Sequence, residues 1–81
     1  MRFSDLSPRF CVVMLCRLGM RQADIARTVQ IHPTTVSRLT AHDVDVSYTT
    51  ADKLRALLEG RVTDVRLALR DLDNEFNGDA K

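Results

Sequence analysis

The sequence contains no tryptophan, only three glycines, two prolines and two cysteines. With 44% hydrophobic and 28% charged residues, so few breakers speak against a disordered or low-complexity chain. No glycine-rich loop that could cradle a phosphate is present. Cys11 and Cys16 have a spacing that fits no zinc or redox motif, and on a helix they would not share a face. They read as two reduced thiols in or near a core. His32 and His42 lack a cysteine or further histidine at ligand spacing, so no metal is expected. No Ser/His/Asp arrangement and no carboxylate pair in an apolar setting occurs, so the chain does not read as an enzyme. No cofactor and no small-molecule ligand are expected. The apolar stretch Phe10–Leu15 is too short to cross a bilayer, and Arg17 follows it. Arg2, Asp5 and Pro8 precede it without a small-residue cleavage site, which does not resemble a signal peptide. The expected location is the cytoplasm.

What is present is one small domain's worth of chain, 81 residues, short enough that oligomerisation is a common source of added stability. The net charge of +1 conceals an asymmetry. Residues 1–42 hold six arginines against two aspartates, a net +4, whereas residues 43–81 hold six basic against nine acidic residues, a net −3. This polarity suits a first half that faces phosphate.

Five helices and no strand are expected, an all-α fold. Ser7 caps helix 1, with Pro8 at its first position, and Gly19 stops it after about Leu18. Phe10, Val13, Met14 and Leu18 fall at helical spacing and are expected to form its buried stripe. Helix 2 covers about 22–29 and helix 3 about 33–41. Residues 42–48 have no helical period and read as a loop. Helix 4 begins at Thr49 or Thr50, with Thr49 and Asp52 resembling a capping box, and stops at Gly60. Helix 5 covers about 62–76, and the tail from Asn77 is expected to fray.

Residues 22–39, QADIARTVQIHPTTVSRL, carry the functional signal. Ile25, Ala26 and Val29 give helix 2 one apolar face, and Val36 and Leu39 give helix 3 another. Ile31 plugs the turn, and the small Ala26 suits two helices crossing steeply. Two short helices joined by a three-residue turn form a helix-turn-helix. With Val36 and Leu39 turned inward, Thr34, Ser37, Arg38 and Ala41 point outward. That face is small, polar and cationic, as entry into a DNA major groove requires. An arginine there can make a bidentate contact to O6 and N7 of guanine.

The stretch resembles the Cro/CI-like (XRE) helix-turn-helix repressors of phages and bacteria. In that family a glutamine opens helix 2, a Leu/Ile-Ala pair follows, and the recognition helix often reads Thr-Val-Ser-Arg. The matching residues are Gln22, Ile25-Ala26 and Thr35-Val36-Ser37-Arg38, and the likeness extends over roughly residues 8–60, with Tyr48–Leu58 similar to the family's fourth helix. The resemblance implies a five-helix lambda-repressor-like fold, with a helix-turn-helix DNA-binding domain over residues 1–60, a C-terminal dimerisation helix over 61–77 and a frayed tail over 78–81. Four of the five helices fall in residues 1–60, and the fifth is the C-terminal dimerisation helix. The resemblance implies base contacts from Pro33, Thr34, Ser37 and Arg38, and a phosphate bound by Gln22 at the start of helix 2. Arg21, Arg27, His32, Thr35, His42 and Tyr48 would lie along the DNA backbone. Two departures stand out. Gln30 occupies the turn position usually held by glycine, and Arg21 replaces the usual Ser or Thr cap.

Val62, Val65, Leu69, Leu72 and Phe76 are spaced 3, 4, 3 and 4, the a/d pattern of a coiled-coil seam. Such a stripe serves either the chain's own core or a second copy. Dimerisation is favoured here, because one recognition helix rarely supplies enough affinity and dimers reading inverted repeats are usual for this motif. The expected function is a homodimeric, sequence-specific transcriptional repressor binding duplex DNA at a palindromic operator. Two alternatives stay open: the antitoxin of a toxin–antitoxin pair, and the DNA-binding part of a recombinase or transposase.

Overall fold

The structure, a computed structural model, describes residues 5–79 and the side chains through Phe76. The expectations placed on Arg2 and on residues 80–81 lie outside it. Four helices follow one another: α1 (Pro8–Arg17), α2 (Gln22–Val29), α3 (Pro33–Ala41) and α4 (Tyr48–Asp79). No strand occurs among the described residues.

The start of α1 follows from local chemistry. The Ser7 hydroxyl accepts from the Phe10 N–H at 3.1 Å, and Pro8 sits in the first turn, where its missing N–H has no partner to lose. Gly19, at φ 93°, closes the helix in a conformation that a Cβ would strain. The predicted buried face is rotated, however. Cys11, Val12 and Leu15 are fully buried, Val13, Met14 and Leu18 are half-buried, and Phe10 remains 45% exposed. An apolar run from Phe10 to Cys16 offers more than one face at helical period. Packing chooses among them, and α1 contacts all three other helices.

The bounds of α2 and α3 are those expected from the sequence. Ile25, Ala26, Val29, Val36 and Leu39 enter one core with Cys11, Val12, Leu15, Leu54 and Leu58. Gln30 adopts the left-handed conformation, φ 60° and ψ 49°, and its side chain accepts from Lys53 Nζ at 3.1 Å. A side chain in this conformation costs about 1–2 kcal/mol, partly offset by the smaller unfolded-state entropy of a non-glycine residue. Gln30→Gly is therefore expected to raise folding stability by about 0.5–1 kcal/mol, read as a higher urea midpoint at unchanged slope.

The largest departure from expectation is at the second half. Helices 4 and 5 are a single 32-residue helix, α4, which accounts for a molecule 53 Å long and 25 Å across. Gly60 does not stop it. A lone glycine costs about 1 kcal/mol in a helix interior, and two arginines on either side of it hold α4 in place. Arg55 Nε donates to the Leu6 carbonyl (2.8 Å) just before α1, and Arg61 Nη2 donates to the Leu18 carbonyl (3.3 Å) just after it. Val62, beyond the glycine, still packs against the core. The N-terminus of α4 also differs from prediction. Ser47 is its cap, accepting from the Thr50 N–H at 3.1 Å and bonding the Thr50 hydroxyl at 3.0 Å. Asp52 pairs instead with Arg55. The helix persists to Asp79, through the start of the expected frayed tail.

The loop before α4 alternates. Val44 and Val46 lie against the core while Asp43 and Asp45 face solvent. Asp43 shares a surface cleft with Arg9 and Arg17 of α1. Cys11 and Cys16 are free thiols, both pushed upward in pKa by burial, with Arg55 pulling Cys11 the other way. That makes them poor nucleophiles.

Candidate nucleic-acid interface

The turn between α2 and α3 has three residues: Gln30 in the left-handed region, Ile31 half-buried against the core and His32. The sharp reversal lets the two helices share the core through Ala26, Val29, Val36 and Leu39. It leaves the other face of α3 free.

On that face Pro33, Thr34, Ser37 and Arg38 are all exposed, as the helical wheel requires. Ala41 and His42 follow at the exposed end. Apart from Arg38 and His42 the set is small. Thr35 is half-buried, turned partly toward the core, so it has less of its side chain to offer a ligand than its neighbours. The Thr40 hydroxyl donates to the Ser37 carbonyl at 2.6 Å, a bond internal to the helix that leaves the Ser37 hydroxyl uncommitted.

His32 has a role that the sequence reading did not assign. Its Nδ1 accepts from the Thr34 N–H at 3.1 Å, so it is the N-cap of α3. A ring that accepts at Nδ1 and is neutral carries its proton on Nε2. The cap thus holds the exposed imidazole with one outward donor, suited to a phosphate oxygen at the leading end of the helix.

At α2, Arg21 occupies the cap position and supplies no side-chain cap bond. The first turn of α2, opened by the exposed Gln22, has no side-chain cap bond, and its N-terminal partial positive charge is shared with the carboxylate of Asp24 in the same turn. Arg27 is engaged with Asp24 at 2.6 Å, the two side chains 75% and 48% exposed. An exposed pair of this kind is worth at most about 1 kcal/mol, so phosphate can compete for the arginine. Tyr48 stands 90% exposed at the first turn of α4. Lys53 was missed by the sequence reading. It lies 23 residues from Gln30 and brings a cation to the turn that feeds α3. The only local hint was that Gln30 needed something to steady it.

Of the five seam residues, Val62 belongs to the chain's own core rather than to a free face. Val65 is half-buried, and Leu69, Leu72 and Phe76 are 59%, 54% and 71% exposed. Leu67 is also exposed, on the opposite side of the helix, and nothing in the structure explains it. No helix among the described residues is long and apolar enough to cross a membrane.

No protein-family model, curated protein or solved structure matches the chain.

Proposed function

We propose that this protein is a sequence-specific duplex-DNA-binding regulator of transcription, a homodimeric repressor that reads an inverted-repeat operator with α3 in the major groove. The observation that carries the reading is the free face of α3: Pro33, Thr34, Ser37 and Arg38, small or cationic, presented by a three-residue turn and backed by a buried Val36 and Leu39. The charge distribution supports it. The half of the chain with α1 to α3 is the positive half, at +4, and the acidic half begins where the helix-turn-helix ends. Arg38 supplies base recognition, while Thr34 and Ser37 offer hydroxyls and, from threonine, a methyl for thymine. Arg21, Gln22, Arg27, His32, His42 and Tyr48 supply sequence-independent phosphate contacts that fix orientation on the duplex. Binding a promoter in this way excludes the polymerase, and its level is set by protein concentration.

Selection of bound duplexes from a random DNA pool tests the reading. The expected result is an enriched inverted repeat with guanine at one symmetric position of each half-site, bound more weakly as salt rises. A pool that returns no enriched sequence, or enriches single strands equally, overturns it.

A further inference from the structure

The seam residues beyond the domain lie on the helix face that also carries Ala51, Leu54 and Leu58. At 100° per residue, Val65, Leu69, Leu72 and Phe76 continue the line of residues that fills the core. The core ends near Val62, and the helix goes on. A shallow apolar groove lined by Leu69, Leu72 and Phe76, with Arg70 and Asp73 at its edges, is what remains open.

We infer that this face is covered by the same face of a second copy, running antiparallel, with the two-fold axis between Arg70 and Asp71. This deepens the proposed function by specifying how its dimer is built. Two observations choose the occupant and its direction. The first is charge. In heptad terms Arg66 and Asp73 both flank the seam on the same side, at e positions, and antiparallel helices bring e positions face to face. Arg66 then meets the partner's Asp73, and Asp73 meets the partner's Arg66. A parallel pair would instead set Arg66 against the partner's Arg61, which is already held at the Leu18 carbonyl with its Nε buried and unpaired. The second is volume. In the antiparallel register Val65, the smallest side chain of the exposed seam, lies opposite the partner's Phe76, the largest, and Leu69 lies opposite the partner's Leu72. Every layer is then of similar size. A parallel pair would stack phenylalanine on phenylalanine at one end and valine on valine at the other.

Sedimentation equilibrium of the full chain, without DNA, tests this. Wild type should be a dimer. Leu69→Asp should be a monomer with unchanged helicity, and it should still bind a single half-site duplex weakly, so loss of pairing is separable from loss of DNA recognition. Arg66→Glu should weaken the dimer about tenfold, since each of its two copies would then face an aspartate. The exchanged variant Arg66→Glu with Asp73→Arg should restore wild-type pairing. A wild-type chain that stays monomeric at the highest soluble concentration overturns the inference and leaves the face to a different protein. So does an Arg66→Glu variant that pairs more tightly, because only a parallel dimer would place the new glutamate beside the partner's Arg61.

Discussion

Leu39→Ala is expected to cost about 2–5 kcal/mol of folding stability, the range for a fully buried leucine truncated to alanine in a well-packed core. For a chain of this size, total stability of roughly 0.05–0.15 kcal/mol per residue amounts to only about 4–12 kcal/mol. The variant is expected to lose at least about a sixth of its urea midpoint, and most of it if the total lies at the low end of that range, with an unchanged slope if unfolding remains two-state. Leu39 is 0% exposed and lies on the inner face of α3, where α1 and α2 meet it. No polar side chain is buried among the described residues, and the core neighbours are held by their own helices, so collapse around the cavity is limited. DNA binding should fall only to the extent that the folded fraction falls. Measured at low temperature or in a stabilising osmolyte, its site preference should match wild type.

Arg38→Ala, one residue earlier, is expected to do the reverse. The Arg38 side chain is exposed and makes no hydrogen bond or ion pair among the described residues, so the stability should stay within about 0.5 kcal/mol of wild type. Affinity for the selected operator should fall by about 1–3 kcal/mol per half-site, and the preference should relax at one base position. Arg21→Ala serves as the control. It should weaken binding to all sequences alike and lower the salt slope by about one. A selected site identical for Arg38→Ala and wild type would mean that the recognition face lies elsewhere. The two neighbouring positions thus separate what the helix needs in order to exist from what it presents.

The pair α2 and α3 with its three-residue turn was readable from the sequence because its determinants are local. Pro33 marks a start, the spacing of Ile25, Val29, Val36 and Leu39 fixes two inner faces, and the outward set of α3 follows by subtraction. Gln30 was legible as the residue under strain, and it adopts the left-handed conformation that its position requires. The features that were not legible depend on partners far along the chain. The face of α1 is chosen by three helices around it, so periodicity alone selected Phe10 where packing selected Cys11, Val12 and Leu15. Gly60 reads locally as a terminator. It is carried through because Arg55 and Arg61 bind carbonyls 49 and 43 residues away. Ser47 was passed over as a cap because Thr49 and Thr50 both offered hydroxyls, and only the backbone turn decides which residue stands three positions ahead of the capped N–H. His32 escaped as a cap for a chemical reason: imidazole is an uncommon capping group, and the family resemblance pointed to a DNA-backbone contact instead.

The pair of arginine-to-carbonyl bonds has a mechanical consequence. Arg55 grips the chain entering α1 and Arg61 grips the chain leaving it, so α1 is tied to α4 at both ends, which opposes a swivel of one on the other. Since α3 in turn rests on α1, the bearing of α3 is inherited from the long helix, much as a stylus is fixed to its arm. Whatever seizes the far end of α4 therefore dictates a distance and an angle rather than a mere proximity, and under the proposed function two such helices would tolerate little error in the interval between the marks they read.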